Sequence, residues 1–254
     1  MNNKYFTFNN LNKYDDVIHL FTKKIFDFNS NTISIDIINN NYKKIENDFN
    51  YKFKCIKKSI QVHSNNVKIL TNDNINEEFN NNDGIITNLR GVALVTYVAD
   101  CQAILLYDPV NKVIGNIHSG WRGTLNSIIS VALNLMKDTF NSKYEDIRVY
   151  ISPSILKCCF EVDRDVMELF KDKFNYIDNF ISFKENNNGE DKYYIDTVKI
   201  NVKVMKKLGI KKEHIFCSNI CTKCNSNSNI YHSYRDCKSK KIESGRNIAL
   251  ICLK

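Results

Sequence analysis

Ala99-Asp100-Cys101-Gln102 is followed, seventeen residues after its cysteine, by His118-Ser119-Gly120-Trp121-Arg122-Gly123. A thiol and an imidazole brought together can do two kinds of chemistry. The imidazole can draw off the thiol proton and leave a nucleophilic thiolate. Alternatively both can ligate a soft cation such as Zn²⁺, which takes sulfur at about 2.3 Å and imidazole nitrogen at about 2.0 Å. A third donor would separate the two readings. Of the five histidines none forms a His-x-x-x-His pair, and His63, in the polar loop Gln61-Val62-His63-Ser64-Asn65-Asn66, has the most site-like neighbours.

The elements between the two motifs must bring them together. Ala103 to Tyr107 and Val113 to Ile117 are apolar runs of strand length, separated by the turn-forming Asp108-Pro109-Val110-Asn111-Lys112. They read as a β-hairpin. With Tyr107 opposite Val113, Gln102 faces His118; a slip of one residue puts Cys101 opposite His118, where cross-strand Cβ atoms sit about 4.5–5.5 Å apart. In either register the thiol and the imidazole meet at the open end of the hairpin. Upstream, Gly84-Ile85-Ile86-Thr87 and Gly91 to Val98 read as buried strands, the second delivering Asp100 and Cys101 at its end. Downstream, Thr124 reads as the cap of a helix running to Phe140, with Leu125, Ile128, Ile129, Ala132, Leu135 and Met136 at three-and-four spacing. The turn from Gly120 to Gly123 then offers backbone N–H groups, with Arg122 beside them, to a phosphate or a developing negative charge.

The remaining segments read as scaffold. Val149 to Ile151 is a strand, Asp163 to Phe174 and Thr197 to Leu208 are helices, and Gly209 stops the second of them. Phe6, Phe8 and Leu11, then Val17 to Thr22, read as a first strand or two, and Tyr42 to Phe53 as a short helix. Tyr231 to Arg235 and Gly245-Arg246 precede a closing strand, Ile248 to Cys252, so that Arg235 and Arg246 can approach one cleft. Asparagine runs at 39–41, 80–82 and 186–188 read as loop punctuation in a chain with only 8 Gly and 2 Pro.

Composition narrows the class. A chain of 254 residues with 43% hydrophobic content supports one sizeable core, hence a single domain over 1–254. The net charge of +8 is carried by scattered lysine pairs and not by one basic run, which suits a small anionic ligand and solvated faces and argues against nucleic acid. Nine cysteines, an odd number, and an opening with no apolar signal core point to a reduced, cytoplasmic setting. No apolar run is long enough to span a bilayer. His19 on a strand pattern reads as structural, and His214 as an exposed loop residue. Cys221-Thr222-Lys223-Cys224 is half of a zinc ribbon with no second Cys-x-x-Cys to complete it, and Cys224 reads as incidental. Adjacent Cys158 and Cys159 would point to opposite faces of an extended segment and so could not serve one ion. No histidine is followed by x-Glu, which excludes the zinc nucleobase deaminases, and no His-x-His pair exists to hold a multicopper cluster.

The ordered series Gln61-Val62-His63, Asp83-Gly84-Ile85-Ile86-Thr87, Ala99-Asp100-Cys101, His118-Ser119-Gly120-Trp121-Arg122-Gly123, Glu161-Val162, Tyr194-Ile195-Asp196, Cys221-Thr222, Tyr231-His232-Ser233-Tyr234-Arg235 and Gly245-Arg246 resembles the YfiH/LACC1 family, from about residue 60 to the C-terminus. Those proteins were once labelled laccase domains and are described as purine nucleoside enzymes. The resemblance implies an α/β fold, a mixed sheet flanked by helices, of a type shared with a cysteine-dependent toxin deamidase. It also implies Zn²⁺, with Cu²⁺ as a possible substitute, held by His63, Cys101 and His118 with a fourth position open, which is the catalytic and not the structural kind of zinc site. The expected chemistry is phosphorolysis of adenosine, inosine or methylthioadenosine, with adenosine deamination alongside it. In that reading Arg122, Arg235 and Arg246 hold phosphate, and Asp83 or Asp100 assists proton transfer or orients a ligating imidazole. Two alternatives use the same residues: a metal-free Cys/His hydrolase or amidase, of the kind linked to peptidoglycan-precursor editing, and a weak copper-dependent polyphenol oxidase. Three departures stand out. The glycine-free Lys23 to Asn29 replaces a Gly-Gly-containing loop, Ser152 stands where relatives have Gly, and Asp236 stands where many have a second arginine.

Overall fold

The apolar runs pair into two six-stranded sheets and one three-stranded sheet. The first sheet has the order Tyr5–Phe6, Val17–Thr22, Asn247–Leu253, Val92–Val98, Cys55–Ile60, Phe79–Asn80. The second has the order Ile215–Cys217, Arg148–Ile151, Gln102–Asp108, Val113–Ser119, Gly84–Thr87, Val67–Ile69. Both are mixed: Cys55–Ile60 runs parallel to Val92–Val98, and Arg148–Ile151 parallel to Ile215–Cys217, among antiparallel neighbours. The structure, a computed structural model, describes residues 3–184, 191–225 and 230–254, and the asparagine run at 186–188 lies outside them.

The two large sheets pack face to face. Leu94 and Ile251 from the first share one apolar cluster with Leu105, Tyr107 and Ile114 from the second. Helix Ile35–Phe49 covers the outer face of the first sheet through Ile38, Tyr42 and Ile45, and helices Ile128–Phe140, Arg164–Lys173 and Thr197–Leu208 cover that of the second. Being covered on both sides, the strands Gln102–Asp108, Val113–Ser119 and Asn247–Leu253 are buried along their whole length. A buried amide between the sheets is satisfied. Asn116 donates to the carbonyls of Leu94 and Ala249, each at 2.9 Å, and accepts from Thr96 Oγ1 at 2.9 Å, which fixes how the sheets sit on one another.

Four elements differ from their sequence reading. Of the opening segment read as strand only Tyr5–Phe6 is one, and Leu11 lies in the short helix Asn9–Asn12. The hairpin pairs Ala103 with His118 and Asp108 with Val113, so its register is displaced from both readings, in the direction opposite to the slip considered. The turn sets it: the Asp108 carboxylate accepts from the N–H groups of Val110 and Asn111, and Lys112 turns the chain with φ +55°. The helix expected from Thr124 is two helices, Trp121–Leu125 with Gly120 at its cap and Ile128–Phe140, broken where Ser127 takes φ +54°. The helix expected at Tyr42 to Phe53 spans Ile35–Phe49, opened by the Ser34 hydroxyl accepting from Ile37 N–H and closed by left-handed Asn50. Its Asn39–Asn41 run is therefore helical and not a loop; Asn41 reaches the carbonyl of Asp27 at 2.9 Å. The run at 80–82 does punctuate a turn, through left-handed Asn81.

Candidate active site

Cys101 enters the Gln102–Asp108 strand through a corner at Asp100, whose φ is +87°. Such left-handed backbone costs a non-glycine residue of order 1–3 kcal/mol, so its surroundings must enforce it. They do: Asp100 Oδ1 accepts from Thr222 Oγ1 and Oδ2 from the Arg235 N–H, both at 2.6 Å, while its carbonyl accepts from Ile155 N–H at 2.8 Å. His63 is left-handed as well, at φ +61°. Its loop is gathered around Asp83, a fully buried carboxylate that accepts from the N–H groups of Val62, His63 and Ser64 at 3.3, 3.0 and 2.7 Å and from Ser64 Oγ at 2.7 Å. The same carboxylate lies 2.7 Å from His118 Nδ1. One buried acid thus orients both imidazoles, and the second ring nitrogen of His118 is left for the site.

The three donor atoms of His63, Cys101 and His118 lie within 4.8 Å of one another, with Cys101 Sγ 3.9 Å from His63 Nε2 and the two rings edge-on at 4.8 Å between centroids. A sulfur and a nitrogen on one tetrahedral zinc would be about 3.5 Å apart, so this N, S, N set fits such an ion with little movement. Gly120 makes the approach possible. A Cβ there would lie 2.8 Å from His63 Cδ2 and 3.2 Å from Cys101 Sγ.

Electrostatics follow from the packing. Burial alone would push the Cys101 thiol up, but the neighbouring charge of His118 and hydrogen bonds from both histidines outweigh it and bring the thiol down to about 6. Burial would likewise lower His118, yet the Cys101 thiolate and the Asp83 hydrogen bond raise it to about 9. For Asp83, burial is overcome by the bonds from His118 and Ser64, which hold it near 2. The Cys101 thiol and the His118 imidazole thus each favour the other's charged form, with the Asp83 carboxylate behind them.

The trio sits at one end of a cleft of about 1010 Å³ that the ends of both sheets open onto. Arg122, Arg235 and Arg246 all line it, as do Asp100, Cys101, His63 and His118. Arg122 lies over the Trp121 ring at 4.2 Å and Arg235 over the Phe160 ring at 5.9 Å. Arg246 is anchored through its N–H to Asp27 and through its guanidinium to the carbonyls of Ser244 and Gly245. Asp83 does not face the cleft; it acts from behind His118, in the orienting place and not as a substrate contact. Asp100 lines the cleft, but both its oxygens are engaged in holding the corner. The glycine-free segment from Lys23 to Asn29 is packed down: Phe26 and Phe28 are buried, and Phe28 N–H donates to the Arg246 carbonyl. Ser152 is buried and accepts from Ala103 N–H at 3.0 Å. His19 is a core residue accepting from Phe8 N–H at 2.7 Å, and His214 is half-buried beside Arg148.

Gln61, a residue of the motif series with no role read for it, pins the corner strand by bonding both the N–H and the carbonyl of Tyr97. Glu161, also of that series, lines the walls with Phe160, Lys192 and Lys238, which carry no sequence signal of their own. Cys158 and Cys159, excluded above as joint ligands, do converge with Cys221 and Cys224. Their segment is a turn, with Cys159 and Phe160 N–H both bonded to the Leu156 carbonyl, so strand alternation does not apply.

Residues 33–254 match the family described as multi-copper polyphenol oxidoreductase laccase, an extent reaching upstream of the motif series. The chain is 32% identical over 225 residues to a purine nucleoside phosphorylase of Borreliella burgdorferi, covering 89% of this chain and 90% of that one. A purine nucleoside phosphorylase of Clostridium acetobutylicum is 31% identical over 216 residues, 85% of this chain and 84% of its own. Among solved structures, YfiH of Bacillus licheniformis superposes with a TM-score of 0.85 at 22% identity over 100% of this chain and 97% of its own. YlmD of Geobacillus stearothermophilus gives 0.83 at 22% identity over 95% and 93%. No helix among the described residues is long and apolar enough to cross a membrane. The chain belongs to the laccase-domain family of YfiH-type proteins.

Proposed function

We propose that the cleft catalyses phosphorolysis of purine nucleosides, assisted by a divalent cation, with zinc the best match. The observation that carries this reading is the meeting of a soft three-donor set, His63, Cys101 and His118, with three arginines in one cleft. Relatives alike along nearly the whole chain bear the purine nucleoside phosphorylase name. In the reaction a phosphate oxygen bonds to the ribose anomeric carbon, and the carbon–nitrogen bond to the base breaks. The base leaves with the electron pair and takes up a proton. When bound, the cation supplies Lewis-acid stabilisation of the negative charge that the reaction moves. The chain supplies the rest. Arg122, Arg235 and Arg246 attract and place the phosphate, the rings of Trp121, Tyr97 and Phe160 offer apolar faces to the purine, and Asp83 keeps His118 in one tautomer. Hydrolytic deamination of adenosine is proposed as a second outcome at the same centre, with water replacing phosphate.

A metal-free reading has one arrangement in its favour, a thiol beside two imidazoles, one of them backed by a carboxylate, whose packing lowers the thiol and raises His118. It predicts that a chelator leaves activity intact and that alkylation of Cys101 abolishes it. The deciding experiment is chromatography of products from adenosine with and without phosphate, using metal-quantified protein and the His118→Ala variant. Adenine that appears only with phosphate and disappears in the variant supports the proposal, and inosine supports the deaminase outcome. Zinc-replete protein that yields neither would sink the nucleoside reading. Reconstitution of stripped protein with Zn²⁺ or Cu²⁺ then identifies the working ion.

A further inference from the structure

Away from the cleft centre, four thiols meet. Cys158 and Cys159 sit in the turn after strand Arg148–Ile151, and Cys221 and Cys224 follow strand Ile215–Cys217. Their sulfurs all lie within 4.8 Å of one another, with Cys224 Sγ 3.6 Å from Cys158 Sγ and 3.4 Å from Cys159 Sγ. Four sulfurs at about 2.3 Å from one tetrahedral ion are about 3.8 Å apart along each edge. The cluster therefore has the size of a zinc tetrathiolate before any ion is placed. A disulfide, at about 2.05 Å, would need one pair to close and would leave two clustered thiols unexplained.

We propose that Cys158, Cys159, Cys221 and Cys224 hold a second, structural Zn²⁺. All four positions are filled by protein, which is the closed arrangement of structural zinc. The backbone is already built for it. Ser154 N–H bonds the Ile220 carbonyl and Thr222 N–H bonds the Ser154 carbonyl, clamping the two loops side by side. Leu156 N–H points at Cys221 Sγ at 3.5 Å, and Asn225 bonds the Cys221 carbonyl with both its backbone and side-chain N–H. N–H donors to sulfur stabilise metal-bound thiolates, and Lys157 and Lys223 flank the ligands in sequence. The staple has a role. Thr222, next to Cys221, holds the Asp100 corner, while Phe160 and Glu161, next to Cys159, form the cleft wall. The ion would tie both to one point.

The test counts and characterises metal independently of turnover. Wild-type protein purified under reducing conditions should carry two zinc ions per chain, the His63→Ala/His118→Ala variant one, and Cys224→Ser one. In the His63→Ala/His118→Ala variant, X-ray absorption at the zinc edge should show sulfur ligands alone, and Co²⁺ substitution should give tetrahedral thiolate bands. Because Cys221→Ser could unfold the chain, exposed Cys224 carries the stoichiometry test. In addition, unlabelled Cys158, Cys159, Cys221 and Cys224 in native alkylation should become labelled after chelation. One zinc in wild type that vanishes with His63 and His118, a nitrogen-containing shell in that variant, an iron chromophore, or a Cys159–Cys224 disulfide in protein kept reduced would each overturn the proposal. The result stands apart from the phosphorolysis reading, since a nucleoside-inactive protein would still show the second zinc.

Discussion

The two sulfur-bearing clusters of this chain are built in opposite ways. The His63, Cys101 and His118 trio stands where packed strands end, behind it a buried carboxylate, before it a cleft. The four cysteines stand on two turns, with Cys158 and Cys224 exposed. Three mixed donors can leave a position open, and the left-handed backbone at His63 and Asp100 is held by hydrogen bonds to the buried carboxylates of Asp83 and Asp100. Four like donors leave no room, and loop hydrogen bonds suffice to hold them. The contrast teaches that ligand number and the stiffness of the support go together. A centre that must stay open is framed by the core, and one that can close holds its own support.

Variants should separate the two clusters. The largest effect is expected from Cys101→Ala, which should lower kcat/KM by about 10⁴-fold or more and remove one zinc while leaving the four-cysteine cluster loaded; retention of full turnover would place the site elsewhere. Next, the chelator-stripped chain should react with iodoacetamide at Cys101 with an apparent pKa of about 6. His118→Ala should move that value to the ordinary thiol range or above, which slows alkylation at pH 7 by about 100-fold. Asp83→Asn should weaken metal binding at the trio by about 10–100-fold, as seen when the partner of a ligating imidazole is lost. It should also flatten acid unfolding. The depressed carboxyl contributes stability above its unfolded value near 4 and loses it as pH falls towards 2, so wild type and variant should converge at the acid end. Arg122→Ala should raise KM for phosphate about 10-fold and KM for nucleoside little, measured by varying each substrate in turn. The smallest effect is that of Thr222→Val, about 1–2 kcal/mol of stability from the lost bond to Asp100, read in urea melts.

Much of this arrangement was legible in the residues. The hairpin, the strand delivering Cys101 and the Gly209 helix stop follow from short-range patterns of apolarity and turn chemistry, whereas His63 was singled out by its polar loop and by the family resemblance. What was not legible depends on backbone angles that residue types only weakly specify. Ser127 takes a left-handed conformation that splits one expected helix into two, and the Asp108 turn selects a register one residue beyond the first expectation and two from the slipped one. The four-cysteine cluster was hidden because its halves lie far apart in sequence and because Cys158-Cys159 was assumed extended. Asp83 was recognisable as a motif residue, but its burial behind His118 is a product of the fold.

The strand Asn247–Leu253 sits between Val17–Thr22 and Val92–Val98 in the middle of the first sheet. During synthesis, Val17–Thr22 is made long before its central partner, Asn247–Leu253. Until then two strand edges stand open beside an uncovered apolar face, the kind of surface that recruits neighbouring chains. Folding of this sheet thus depends on long-range closure, which slows it. Yield in a cell-free translation should rise when a holding chaperone shields the nascent chain, and fall steeply when Leu250 or Ile251 is replaced by a charged residue.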